Sequence, residues 1–232
     1  VGFSVTREYY INVAGSQIDH LTGSVSLRYL ESNGEKVKFT EDLYPGDYLK
    51  DVGKALAKET GARYLNRPEA EWLDDLRQFS IESIMDVIKQ DLIALGVNMD
   101  VFSSERSLVE SGAVEHAIGR LQAAGHLYTG VLAPPKGKEP EDWEPREQTL
   151  FKSTLHGDDV DRPVLKSDGT WTYFAPDIAY HYDKIKRDYD EIIDIFGADH
   201  SGYTARMKAI VKALSEGKKD LKKVTDILNK IK

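Results

Sequence analysis

The stretch WTYFAPDIAYHYDKIKRDYDEIIDIFGADHSGYTARMKAIVKAL, residues Trp171–Leu214, decides the fold. Trp171 to Phe174 is aromatic and β-branched, a composition that fits a strand. Pro176 suits the first position of a helix running to Lys186, because that position needs no backbone N–H. Glu191 to Phe196 predicts an apolar strand ending at Gly197, and a second helix follows from about Ser201 to Leu214. Strand, helix, strand, helix in this order predicts a parallel α/β sheet, with ligands gathering at the carboxyl ends of its strands.

Upstream, Ser4 to Ile11 alternates and is rich in Val, Thr and Tyr, which predicts a strand. Ile18, Leu21, Val25, Leu27 and Leu30 then recur at helical spacing until Asn33-Gly34. Gly46 to Thr60, Pro68 to Leu95 and Ala113 to Ala124 predict further amphipathic helices, whereas Ala133 to Pro145 is dense in Pro, Gly and charge and predicts a loop. The expected organisation is the end of a first Rossmann half over residues 1–33, a mostly helical insertion over 34–165, and a second Rossmann half over 166–217. Residues 218–232 predict an amphipathic helix, with Leu221, Val224, Leu228 and Ile231 on one stripe and lysines opposite. That helix is expected to cap an apolar edge.

A chain of 232 residues with 41% apolar content can bury a substantial core, and its net charge of −8 draws no polyanion, so any RNA contact must rest on local patches. No cysteine is present, which excludes disulfides and thiolate chemistry and fits a reducing, cytoplasmic setting. No apolar run is long enough for a membrane span.

Three groups of residues carry candidate chemistry. Tyr173 and Asp177 flank the expected strand-to-helix junction. A carboxylate there can take paired hydrogen bonds from a planar guanidinium, a fork geometry that lysine cannot reproduce, and the phenol adds a ring face or one hydrogen bond. Taken alone, these residues read rather as structural, Asp177 complementing the positive end of its helix and Tyr173 filling core. Gly197-Ala198-Asp199-His200 follows a buried strand, where glycine admits a ligand to the backbone and an acid accepts sugar hydroxyl protons; an N-cap aspartate explains the same residues. His181 lies one helical turn after Asp177 with Asp183 nearby, but six scattered histidines without paired ligand spacing argue against a metal site. Asn12 and Gln17 are polar candidates to line a pocket, or else a helix cap and an exposed amide.

Several motifs together resemble one family. They are Val5-Thr-Arg-Glu-Tyr-Tyr-Ile-Asn12, Ala14-Gly-Ser-Gln-Ile18, Tyr44-Pro-Gly-Asp-Tyr48, Ser103-Ser-Glu-Arg-Ser107, Glu144-Pro-Arg-Glu-Gln-Thr-Leu150, Ser167 to His181, and Gly197-Ala-Asp-His-Ser-Gly-Tyr203. Their order and spacing over roughly residues 3 to 217 resemble the bacterial arginyl-tRNA synthetases, class I enzymes. The resemblance implies a Rossmann-type core and a ligase that joins arginine to its tRNA through an arginyl-adenylate. ATP would be a substrate with Mg2+ carried on its phosphates, and no tightly bound cofactor or protein metal site is implied. It also implies arginine contacts from Tyr173, Asp177 and His200, ATP-ribose contacts from Gly197, Asp199 and His200, and pocket lining from Asn12, Gln17 and His181. Partners would be arginine, ATP and the arginine tRNA, with no membrane, and a monomer is the expected state.

Two departures qualify that expectation. Val13 stands where relatives usually carry an acid. The 232 residues also contain neither the His-x-Gly-His turn nor the Lys-rich loop with which class I synthetases stabilise the reacting phosphate. In relatives these lie upstream and downstream of the matching region. No residue of this chain is therefore assigned as catalytic, and the alternative is a non-catalytic module, natural or engineered, that keeps the fold and the guanidinium pocket.

Overall fold

The computed structural model describes residues 2–11, 16–132, 146–197, 202–219 and 221–223. The chain forms two compact units, Val1–Arg106 and Ser107–Lys232. The division falls inside the segment expected as a single insertion.

In the first unit, β1 (Glu8–Ile11) pairs in parallel with β2 (Val101–Ser104), Glu8 standing opposite Val101 and Ile11 opposite Ser104. The long connection between them carries α1 (Ser16–Ser32), α2 (Tyr48–Thr60), a 3-10 turn at Glu69–Glu71, and α3 (Leu73–Ala94). Leu21, Val25 and Tyr29 recur every fourth residue on α1 and meet Leu49, Val52 and Leu56 of α2 and Leu76 of α3 in one core. Tyr29 lies in that core, and its hydroxyl donates to the Gly61 carbonyl at 2.7 Å and accepts the Tyr64 N–H at 3.2 Å, so its polar end is satisfied.

Helices α1 and α2 touch at Gly53. A Cβ placed there would lie 2.5 Å from Arg28 Cβ and 2.6 Å from the Arg28 carbonyl carbon. The nearest obstacles include backbone, which cannot swing aside. Gly53→Ala is expected to destabilise this unit by about 1–3 kcal/mol, the range for overpacking. Urea denaturation checks this, and an unchanged midpoint would show that the helices separate freely.

The second unit follows α4 (Glu105–Glu110), which spans the division in sequence. It comprises α5 (Ala113–Ala123), β3 (Leu127–Gly130), β4 (Gln148–Phe151), a 3-10 turn at Ser153–His156, β5 (Arg162–Leu165), α6 (Phe174–Lys186), β6 (Ile192–Asp194), α7 (Thr204–Leu214) and β7 (Leu221–Lys223). Strands β3, β4 and β5 form an antiparallel sheet in that order, while β6 and β7 pair in parallel across α7 as a βαβ unit. Its core joins Val114, Ile118 and Leu121 of α5 to Ile178 of α6 and Met207, Ile210 and Val211 of α7, with Phe151, Val164 and Ile192 from the strands.

Three expectations need correction. Trp171 to Phe174 is not a strand: Trp171 makes an isolated bridge to Leu165, and Phe174 already begins α6. Burial of Phe174 and Ala175 in the core outweighs the β preference of the aromatic run, and Pro176 sits within the first turn rather than at its first residue. The expected helical insertion also contains the three-stranded antiparallel sheet. Finally, residues 221–223 are a strand, not part of a helix beginning at 218. The chain leaves α7 through Glu216 and Gly217, both at positive φ. Lys219 is then tied down by its N–H to Ser215 Oγ at 3.0 Å and by its ammonium to the Tyr189 carbonyl at 2.6 Å, which delivers an extended segment to the free edge of β6. Residues 133–145, expected as a loop, and the remainder of the expected terminal helix lie outside the described residues.

Candidate functional site

Asp177, His181 and Lys184 occupy positions i, i+4 and i+7 of α6, one face of the helix, and that face packs against the end of β6. Asp194, the last residue of β6, is its counterpart. The Asp194 carboxylate receives His181 Nε2 at 2.7 Å on one oxygen and Lys184 Nζ at 2.8 Å on the other. All three groups are buried, with 3% exposure for His181, 9% for Lys184 and 8% for Asp194. Burial alone would raise the Asp194 carboxyl, but the charge and hydrogen bonds of His181 and Lys184 outweigh it and hold the group far below the usual carboxylate range. His181 Nδ1 lies 2.8 Å from the Asp177 carbonyl, which can only accept, so this nitrogen carries a proton. Its other nitrogen faces the Asp194 carboxylate at 2.7 Å. Both ring nitrogens therefore face oxygen atoms, the Asp177 carbonyl and the Asp194 carboxylate.

Asp177 sits in the first turn of α6, half-buried, with the positive end of the helix beside it. Its Oδ2 accepts a hydrogen bond from the Tyr203 hydroxyl, which is delivered by the turn leading into α7. Burial is the largest influence on the Asp177 carboxyl and raises it; Tyr203, His181 and Lys184 pull it down, and Asp194 adds to the rise. The net direction is upward. Burial, and then the neighbouring Asp177, push the Tyr203 phenol far above its ordinary value, which leaves it a hydrogen-bond donor. The Arg206 guanidinium stands 4.6 Å from the centre of the Tyr203 ring.

Tyr173 precedes α6 and is 76% exposed, so it does not fill core. Gly197 is exposed, three residues beyond the end of β6. The same unit shows how a carboxylate takes a guanidinium: Arg162 Nε and Nη2 meet Asp158 Oδ2 and Oδ1 at 2.7 and 2.8 Å. Burial would raise Asp158, yet the Arg162 fork holds its carboxyl at about 2.

Over 217 residues, the chain is 63% identical to the arginine–tRNA ligase of Roseobacter denitrificans and 62% identical to that of a Ruegeria species, a match covering 94% of this chain in each case. The chain belongs to the arginyl-tRNA synthetase family. It spans 37% of the length of those relatives. A crystal structure from Campylobacter jejuni, by its name an arginyl t-RNA synthetase, superimposes with a TM-score of 0.76 at 31% identity, over 95% of this chain and 45% of that one. No protein-family model matches the chain.

Within this synthetase-family chain, Tyr173, Asp177 and His181 share the start of α6, and Gly197 follows β6 in the same unit. Asn12, Asp199 and His200 lie outside the described residues. Gln17 is exposed in the first turn of α1, in the other unit. Asp183 does not join His181; it is 41% exposed and lies 3.7 Å from Lys186. Among the described residues, no group of three or more His, Asp or Glu stands at metal-binding spacing, and no helix is long and apolar enough to cross a membrane. Sequence reasoning missed Asp194, Lys184 and Tyr203. The signal for the first was an acid inside the apolar run Ile192-Ile-Asp-Ile-Phe196, since a buried charge requires a partner. The i, i+7 spacing of Lys184 from Asp177 would have supplied one.

Proposed function

We propose that this chain forms the arginine-binding and ribose-binding part of an arginine–tRNA ligase site. The observation that carries the reading is Asp177, a largely desolvated carboxylate at a helix start, with the exposed Tyr173 one turn before it and the half-buried Tyr203 hydroxyl donating to it. A carboxylate in that state gains from a guanidinium, which supplies both the charge and the paired N–H groups that burial has removed. Asp177 would take the fork of the arginine side chain and Tyr173 its face or edge. His200 would stand at the α-amino and carboxyl end, and Gly197 and Asp199 would hold the ribose of ATP.

In the family reaction the arginine carboxylate attacks the α-phosphorus of ATP and expels pyrophosphate. The terminal ribose hydroxyl of the tRNA then attacks the adenylate carbonyl. This chain's residues bind and orient the amino acid and the sugar; Mg2+ would arrive with the phosphates of ATP. A second reading is a non-catalytic module that keeps the fold and the pocket.

Titration calorimetry with arginine and with lysine tests the pocket. Heat is expected with arginine and little with lysine, which cannot reproduce the fork; equal binding of the two would overturn the assignment. Arginine-dependent pyrophosphate exchange separates the two readings, because turnover by the chain alone would exclude the non-catalytic module.

A further inference from the structure

A guanidinium fork demands a carboxylate whose plane is fixed, and the last torsion of an aspartate is intrinsically broad. Helix α6 does not set that torsion through its own side chains. His181, the nearest polar group on the same face, bonds the Asp177 backbone carbonyl instead, and turns its other nitrogen to Asp194. Lys184 is likewise committed to Asp194. Among the described residues, the side chain hydrogen-bonded to the Asp177 carboxylate is Tyr203, 26 positions later and on another element.

We propose that Tyr203 is a positioning residue of the guanidinium pocket, its hydroxyl fixing the plane of the Asp177 carboxylate and favouring its ionised form so that arginine meets a preset fork. This rests on the arginine-binding reading of Asp177. Among the described residues, Tyr203 leaves Oδ1 and the remaining lone pair of Oδ2 for the ligand. Its ring is held in turn by Arg206 of α7.

The geometry makes binding depend on pH. Asp177 is faced by His181 and Lys184 from its own helix, by Asp194 from β6 and by Tyr203 from the turn before α7; Arg206 acts on Tyr203, and Tyr203 also lies within electrostatic reach of Arg162 of β5. Burial favours the neutral acid, and the Tyr203 hydrogen bond favours the anion that arginine needs. Removing the hydroxyl therefore raises the pH at which arginine binding is lost on acidification. A tyrosine that merely packed would leave that pH unmoved.

The test is arginine calorimetry on the 232-residue chain from acid to neutral pH, for the parent, Asp177→Asn and Tyr203→Phe. The phenylalanine variant keeps the ring against Arg206. It is expected to bind arginine roughly 10-fold or more weakly, the loss that follows from one hydrogen bond to a charged group, with its acid midpoint displaced upward. A parent that binds no arginine would sink the arginine-site reading and this inference with it. A parent that binds, an Asp177→Asn that does not, and a Tyr203→Phe with parental affinity and midpoint would overturn the inference alone. Should Tyr203→Phe not fold, 3-fluorotyrosine placed at 203 supplies the second measurement. Its stronger donor is expected to lower the acid midpoint, and an unmoved midpoint would overturn the proposal.

Discussion

Asp177→Asn is expected to weaken arginine binding by roughly 30-fold or more while leaving the chain as stable as the parent, or more stable, at neutral pH. The first half follows from removing one charge of a desolvated pair, a loss of about 2–5 kcal/mol. The second half follows from the direction in which the folded state moves the group. Burial raises the Asp177 carboxyl above 3.8 despite the help of Tyr203. A raised carboxyl contributes stability below its unfolded value and loses it as pH rises through the folded value, so at neutral pH the ionised group opposes folding. Asparagine cannot ionise, yet it keeps an oxygen that can accept the Tyr203 hydrogen bond. Calorimetry for arginine and thermal melts at neutral pH measure the two effects on one sample. Retained affinity would remove Asp177 from the pocket. A melting temperature well below the parent's would show instead that the carboxylate supports the fold.

That opposition between stability and binding separates a ligand residue from a structural one, and sequence alone could not show it. Spacing placed Asp177 and His181 on one helix face because helical periodicity is local, and for the same reason α2, α5 and α6 were legible from Leu49, Val52, Leu56, Val114, Leu121 and Ile178. The partners of those faces were not. Asp194 reaches His181 only once β6 is laid beside α6, and Tyr203 reaches Asp177 only through the turn into α7. The antiparallel sheet was missed because four-residue strands carry too little alternation to outweigh the surrounding helical pattern, and Pro163 argues against the very strand that contains it. Trp171 to Phe174 misled in the opposite direction. Its aromatic run satisfied a strand pattern, while the observed bridge at Trp171 and the helix starting at Phe174 answer to burial in the core shared with α5 and α7.

The largest stability effect is expected at Asp194. Replacing it with alanine would leave the Lys184 ammonium buried without its anion and the His181 ring without its partner, a loss of about 3–5 kcal/mol. That is a large share of the roughly 5–15 kcal/mol that stabilises a typical domain. The acid response follows from the same geometry. The folded state holds the Asp194 carboxyl far below 3.8, because His181 and Lys184 overcome the opposing effect of burial. Its contribution is therefore complete above 3.8 and is lost as pH falls below that value. Asp194→Asn should remove this portion of the acid sensitivity along with the stability it reflects. Urea midpoints for the parent and both variants, taken at neutral and at acid pH, give the comparison, and an Asp194→Ala midpoint equal to the parent's would refute the buried-network account. A further variant, Asp194→Leu combined with His181→Leu and Lys184→Met, distinguishes charge from packing. Apolar replacement of a whole buried ionic cluster is often neutral or stabilising, whereas removing one member is not. Recovery of stability in the triple variant would locate the Asp194→Ala defect in the uncompensated Lys184 charge and the unpartnered His181 ring. Because His181 and Lys184 lie on the helix that carries Asp177, the triple variant also shows whether the network serves the fold alone or holds α6 in register for the ligand. Restored stability with parental arginine affinity would confine it to the fold.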